Sequence, residues 1–134
     1  MKKTKFIELK QVFKTLHGPK GCIWDKKQTH ESLIGGLREE ARELIQAIKS
    51  ENSDHIEEEL GDILLHVLFH AQIASRESKF DIEDVIDGLI KKLKRRHPHV
   101  FGTAKVKSSA QVVRNWNKIK AAEKKKQKSD RERI

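Results

Sequence analysis

The stretch REEARELIQAIKSENSDHIEEELGD, residues 38–62, carries two pairs of acidic residues at helical spacing. Glu40 and Glu43 are three residues apart, and so are Glu59 and Asp62. Residues i and i+3 lie on one face of an α-helix, about a turn apart. Each pair therefore presents two carboxylates to a common point if the stretch is helical.

The segment SENSD, residues 50–54, lies between the two pairs and is rich in turn and cap formers. Two helices joined there would run antiparallel and bring four carboxylates together. Hard divalent cations such as Mg²⁺ prefer oxygen ligands of this kind. A single Glu-x-x-Glu pair is more often a solvated helix face than a metal site. Here, however, both pairs flank apolar stripes, and facing carboxylates repel each other unless a cation neutralises them. We therefore predict a divalent-metal site.

Length and composition predict one soluble helical domain. The chain has 134 residues, only two prolines and 5% aromatic residues. It has no apolar run of about 20 residues, the length of a membrane span. The N-terminus MKKTKFIELK lacks the apolar core of a signal peptide. Cys22 is the only cysteine, so no intramolecular disulfide is possible, and we expect a cytoplasmic protein.

Apolar residues recur with a period near 3.6 in five segments, which predicts an all-α bundle of about five helices built around the antiparallel acidic pair. The expected helices cover residues 4–16, 31–49, 54–77, 81–96 and a last segment from Ala110 onward. Residues 22–30 and 102–109 are expected to be loops. From Lys124 the sequence has no apolar face, so we predict a domain of residues 1–123 and a disordered basic tail, 124–134.

His66 and His70 stand at an i,i+4 spacing that is able to bind zinc. No cysteine or third histidine is placed by the sequence to complete such a site. We therefore expect paired, hydrogen-bonded histidines inside the fold or at an interface.

The net charge of +9 is unevenly distributed. Residues 1–90 hold 13 basic and 17 acidic side chains, a balance of −4, whereas residues 91–134 hold 16 basic and 3 acidic ones, a balance of +13. This asymmetry fits a polyanionic ligand held through metal. It also fits a nucleic-acid binder with a basic tail. Composition does not separate the two.

Several segments together resemble the successive blocks of the MazG nucleoside triphosphate pyrophosphohydrolases. The blocks are GCIWDKKQTHESL, REEARELIQAI, EEELGDILLHVLFHAQIA, FDIEDV, KLKRRHPHVFG and WNKIKAAEK. They occur in family order over residues 21–124. The EExxE…ExxD pattern is moderately specific by itself, and joined to RRHPHVFG it is hard to obtain by chance. The resemblance implies an all-α fold that assembles as a homodimer or a dimer of dimers. It also implies Mg²⁺-dependent hydrolysis of nucleoside triphosphates to monophosphates and pyrophosphate, with Mn²⁺ as a possible substitute, in nucleotide-pool house-cleaning.

The resemblance also implies roles for individual residues. Its metal ligands are Glu40, Glu43, Glu59 and Asp62, and Glu39 is a candidate base. The residues matching nucleotide contacts are Trp24, Asp25, Lys92, Arg95, Arg96, Trp116 and Lys120. The family loop usually reads GCPWD, whereas Ile23 stands here in place of proline. Many relatives carry two tandem copies of the domain, and this sequence contains one.

Two other classes of function are weighed beside this hydrolase. A module that binds nucleic acid or a protein partner would use the basic C-terminal region, but that region has few interleaved aromatics and no recognised DNA-binding motif. A carboxylate-bridged iron protein would need Glu-x-x-His pairs, and neither Glu40 nor Glu59 has histidine at i+3. The sequence also lacks a P-loop and a Ser or Cys nucleophile constellation. We therefore expect direct attack by water, with neither nucleic acid nor membrane as a partner.

Overall fold

The computed structural model describes residues 4–132, which form seven α-helices and no β-strand. In chain order, the helices are α1 (Lys5–Leu16), α2 (Ile23–Lys27), α3 (Ile34–Lys49), α4 (Ser53–Arg76), α5 (Ile82–Arg96), α6 (Pro98–Phe101) and α7 (Ser109–Glu132). The all-α prediction is confirmed, and the five longer helices are the five that the apolar periodicity predicts.

The two short helices lie in segments without a helical period. We expected a loop over residues 22–30, but α2 forms there. Its C-terminal end is held by Arg76, whose guanidinium donates to the carbonyls of Lys26 (2.6 Å) and Gln28 (3.0 Å). Arg76 is about 50 residues away from these carbonyls in sequence, so a local sequence pattern does not predict the contacts. In α6, Pro98 stands in the first turn, where its fixed φ suits a helix start. As predicted, His97 lies outside α5.

The last helix is longer than the sequence predicts. We expected a disordered tail from Lys124, whereas α7 continues to Glu132, and residues 133–134 lie outside the described range. Lysine, glutamate and arginine are good helix formers, so the helix continues even where it has nothing to pack against. All side chains of residues 124–132 are exposed, as expected for a segment without an apolar face.

The chain divides into two compact units, Met1–Ile82 and Glu83–Ile134, and the predicted domain of residues 1–123 spans both. None of the helices within residues 4–132 is long and apolar enough to cross a membrane. The core of the first unit is built from apolar residues of α1, α4 and the segment before α3: Phe13, Leu33, Leu68, Phe69 and Ile73. α4 supplies six of the nine buried residues in the described part of the chain, so it is the most buried element there.

α3 and α4 form an antiparallel hairpin that is the most extensive helix packing in the first unit. Its turn is short and closely specified. Glu51 adopts φ 54°, in the left-handed region, and lets the chain reverse. The Asn52 side chain then caps α4 by accepting from the His55 amide at 3.2 Å. The turn sets the register of the two helices, and with it the positions of their acidic side chains.

Candidate functional site

Three carboxylates converge on the α3–α4 hairpin. Glu40 and Glu43 project from α3 and Glu59 from α4, and one oxygen from each lies within 4.8 Å of the other two. Glu40 and Glu59 are half-buried, and their Oε2 atoms have no hydrogen-bond partner among the described residues. Buried carboxylate oxygens usually have partners, so this arrangement suits a cation. Its donor set fits a hard divalent ion.

The electrostatics of Glu40 reflect this crowding. Burial raises the pKa of Glu40 to about 7, and the adjacent Glu59 carboxyl adds to the rise, followed by the charges of Asp62 and Glu43. Burial and neighbouring negative charge both disfavour the ionised form. Near neutral pH the Glu40 carboxyl is therefore partly protonated, which relieves part of the repulsion within the cluster.

The structure separates the five predicted acids. Glu40, Glu43 and Glu59 meet in the cluster. Asp62 is half-buried and acts on Glu40 through its charge, but it is not one of the three whose oxygens converge. Glu39 is exposed and lies outside the cluster, so its role as a base stays a prediction.

A cavity of about 210 Å³ adjoins the cluster and adds residues that we did not predict. Besides Glu43 and Glu59, it is lined by Gln46, Ala47, Ser50 and His55. His55 precedes Glu59 by four residues and Asp62 by seven, so all three lie on one face of α4. That spacing is the sequence signal that could have identified His55.

Trp24 and Asp25 lie on α2, in the first unit. Trp24 is 60% exposed and sets its ring edge-to-face against Phe69, with the ring centroids 6.2 Å apart. Asp25 is half-buried, and its carbonyl accepts from the Gln28 amide. Trp24 therefore packs against the core at Phe69 but offers most of its ring to solvent.

A third histidine changes the interpretation of His66 and His70. His70 is paired with His30, from 40 residues away, through Nδ1 atoms 2.7 Å apart and nearly parallel rings. Burial, and then the charges of His30 and His66, lower the pKa of His70. His66 is buried, and its Nδ1 has no partner among the described residues. His70 is thus paired and hydrogen-bonded, as expected, but the expectation that no third histidine is placed nearby was wrong, because His30 comes to α4 from a distant part of the chain.

The basic candidates lie on α5 and α7, in the second unit. Lys92 and Lys120 are exposed. Arg95 and Arg96 both bind Glu123 of α7, and the Arg96 guanidinium lies 5.0 Å from the centroid of the Trp116 ring. These hydrogen bonds hold the pKa of the Glu123 carboxyl down at about 2, with Arg96 contributing first and Arg95 second. The structure thus brings together Arg95, Arg96 and Trp116.

Glu123 was missed from the sequence, although a signal existed. It is one of only three acidic residues in the strongly basic segment 91–134. An isolated acid among so many cations is a natural ion-pair partner, but sequence spacing alone does not say which cation it binds.

The family described as MazG nucleotide pyrophosphohydrolase domain matches residues 28–101, more than half of the chain. The chain belongs to this MazG family. The matched segment contains α3, α4, α5 and α6, and hence all three carboxylates of the cluster.

Similar proteins agree with this assignment. The chain is 55% identical over 126 residues to the nucleoside triphosphate pyrophosphohydrolase/pyrophosphatase MazG of Thermotoga maritima, covering 94% of this chain and 48% of that protein. It is 40% identical over 113 residues to the nucleoside triphosphate pyrophosphohydrolase of Escherichia coli K12, covering 84% of this chain and 43% of that protein. The chain thus spans about half the length of these curated relatives.

The fold also matches a solved structure. The crystal structure of a MazG-related protein from Thermotoga maritima superposes with a TM-score of 0.67 at 29% sequence identity. The match covers 84% of this chain and 96% of that one. The helical fold is therefore that of a MazG-related protein.

Proposed function

We propose that the protein hydrolyses nucleoside triphosphates to monophosphates and pyrophosphate, with Mg²⁺ as its cofactor. The observation that carries this proposal is the convergence of Glu40, Glu43 and Glu59, two of which keep a buried oxygen that has no hydrogen-bond partner within residues 4–132. Family membership supports the same chemistry, since relatives bear the name nucleoside triphosphate pyrophosphohydrolase.

Glu40, Glu43, Glu59 and Asp62 are the proposed metal ligands, and Mn²⁺ is a possible substitute for Mg²⁺. When bound, the metal would neutralise charge on the triphosphate and lower the pKa of the attacking water. Glu39, exposed and uncoordinated, is the proposed base that accepts a proton from that water.

The remaining residues are proposed to bind the substrate. Cationic side chains stabilise the charge that accumulates on a pyrophosphate leaving group. Lys92, Arg95, Arg96 and Lys120 are the candidates for that role. The exposed ring of Trp24, with Asp25 beside it in α2, is proposed to contact the nucleotide, as is Trp116 in α7. We place this activity in nucleotide-pool house-cleaning in the cytoplasm.

Pyrophosphate release from a panel of nucleoside triphosphates tests the proposal. We expect release with Mg²⁺, a weaker or comparable rate with Mn²⁺, and none after chelation by EDTA. The nucleotide product should be the monophosphate in equal amount. Release of single phosphate ions, or no metal-dependent turnover of any nucleotide, would contradict it. Salt-sensitive binding of nucleic acid without turnover would instead favour the binding-module alternative.

We also propose that the chain forms a homodimer, or a dimer of dimers, through the α3–α4 hairpin. Leu60, Leu64 and Val67 repeat at i, i+4 and i+7 on α4, and each is about 40–50% exposed. On α3, Ile45 and Ile48 are more than half exposed. Exposed apolar residues in such a row are typical of a surface that another chain covers.

The mass in solution tests this assembly. One chain weighs 15.5 kDa, so light scattering should give twice or four times that value. Leu64→Asp should shift the mass toward one chain, because a buried charge opposes association. Val12→Asp, an equally polar change at an exposed site on α1, is the control and should leave the mass unchanged. A wild-type mass of one chain at micromolar concentration would contradict the dimer.

A further inference from the structure

The two neighbouring arginines at the end of α5 have different surroundings. The Arg96 side chain is only 12% exposed. Its Nε and Nη2 donate to Glu123 Oε2 at 3.2 and 2.8 Å, and its guanidinium lies over the Trp116 ring. His97 packs edge-to-face against the same ring, with centroids 5.3 Å apart. Arg96 is thus enclosed by partners within the second unit and ties α5 to α7.

Arg95 is held by the same carboxylate but remains accessible. Its Nε donates to Glu123 Oε1 at 2.5 Å, while its side chain is 48% exposed. Glu123 Oε1 accepts from Arg95, and Oε2 accepts from Arg96, whose Nε also lies 3.4 Å from Oε1. Glu123 itself is anchored, with a side chain only 16% exposed, and the two arginines keep it ionised.

Charge and conformational entropy assign different roles to the two arginines. Two guanidinium groups share one carboxylate, so one positive charge is left over for a ligand. An exposed arginine loses rotamer freedom when a ligand fixes it. A side chain already tethered through Nε has lost part of that freedom before the ligand arrives, and binding is correspondingly tighter.

We infer that Glu123 is a positioning residue that directs the accessible Arg95 guanidinium toward a phosphate of the substrate, while Arg96, one of the candidate phosphate contacts above, serves instead to hold Glu123 in place. The identity of this anion as a nucleotide phosphate rests on the proposed function. The roles of Arg95, Arg96 and Glu123 rest on their contacts within the second unit.

A double-mutant cycle on KM tests the inference. Arg95→Ala should raise KM for the triphosphate, and Glu123→Gln should raise it about tenfold, the worth of one charge-assisted hydrogen bond, with kcat changed less than about twofold. Adding Glu123→Gln to Arg95→Ala should raise KM no further, because Glu123 acts through Arg95. Glu123→Asp keeps the charge and should restore part of the loss.

Matched controls separate positioning from net charge and from folding. Asp130→Asn changes the charge by the same amount on an exposed residue of α7 and should leave KM unchanged. Arg96→Lys should reproduce the KM defect of Glu123→Gln, because it releases the carboxylate. Lower KM in Glu123→Gln would mean that Glu123 competes with the substrate. Additive KM effects, or a lower melting temperature with unchanged KM, would equally overturn the inference.

A binding measurement keeps this test independent of the proposed function. Calorimetry with inorganic triphosphate, on the wild-type protein and the same variants, requires no turnover. Weaker binding in Glu123→Gln but not in Asp130→Asn would support the positioning role even if no nucleotide is hydrolysed. Hydrolysis by the wild type together with equal triphosphate binding in all variants would refute the positioning role and leave the proposed hydrolase standing.

Discussion

Glu59→Gln should lower Mg²⁺-dependent hydrolysis of nucleoside triphosphates by about 10²–10³-fold while leaving the helices folded. The substitution keeps the size of the side chain and removes one of the three converging carboxylates. Glu59 is the member of the cluster that comes from α4, so its loss leaves Asp62 as the one proposed ligand on that helix. Pyrophosphate release at saturating Mg²⁺ measures the effect.

The neighbouring Glu58 supplies the control for this experiment. It is exposed and lies outside the cluster, so Glu58→Gln should retain full activity. Glu40→Ala, Glu43→Ala and Asp62→Asn should also lose activity. Retained activity in all four variants, the three in the cluster and the one at Asp62, would refute the site assignment.

The stability of the metal-free protein provides a second readout for Glu59→Gln. Removing one negative charge from a crowded group of carboxylates relieves repulsion. The metal-free variant should therefore melt at a temperature equal to or above that of the wild type. Mg²⁺ should raise the melting temperature of the wild type more than that of the variant, because a ligand stabilises the folded state that binds it. Loss of activity is informative only if the variant is folded. Circular dichroism checks this by comparing the helix content of the variant with that of the wild type.

Gly21→Ala should destabilise the protein by about 3 kcal/mol or more, a large part of the stability of a domain of this size. A Cβ at Gly21 would lie 2.0 Å from the Leu16 carbonyl oxygen and 2.7 Å from that of Thr15. Both neighbours are backbone atoms, and the Leu16 carbonyl also accepts from the Cys22 amide at 2.7 Å. The added methyl group can be accommodated only if the turn between α1 and α2 opens.

Gly88→Ala is the matched control for this glycine substitution. Nothing lies within 4 Å of a Cβ at Gly88, which sits inside α5. Alanine there should stabilise the protein by about 0.5–1 kcal/mol, because glycine is the poorer helix former. Urea unfolding followed by circular dichroism measures both changes. Equal stability of Gly21→Ala and wild type would show that the turn opens without cost.

Sequence patterns predicted the long helices well because their signal is local. Apolar residues every three to four positions identify α1, α3, α4, α5 and the start of α7. Helices of four or five residues are too short for such a period, so α2 and α6 were missed. The extension of α7 through residues 124–132 was missed for the opposite reason, since a helix without a buried face shows no apolar stripe.

At the candidate site, too, local spacing was predictable from the sequence and long-range packing was not. Spacing alone predicted that Glu40 shares a helix face with Glu43, and Glu59 with Asp62. This was possible because residues three apart lie on the same face of an α-helix. The turn at Glu51 and the packing of α3 on α4 decided that Glu40, Glu43 and Glu59 converge while Asp62 stands beside them.

By itself, then, the sequence determined the helical class, the acidic faces and the family. Only the tertiary structure decided which distant residues meet. It paired His30 with His70 across 40 residues, and Glu123 with Arg95 and Arg96 across 28 and 27. Such pairings depend on how whole helices pack, and a spacing rule for neighbouring residues contains no information about them.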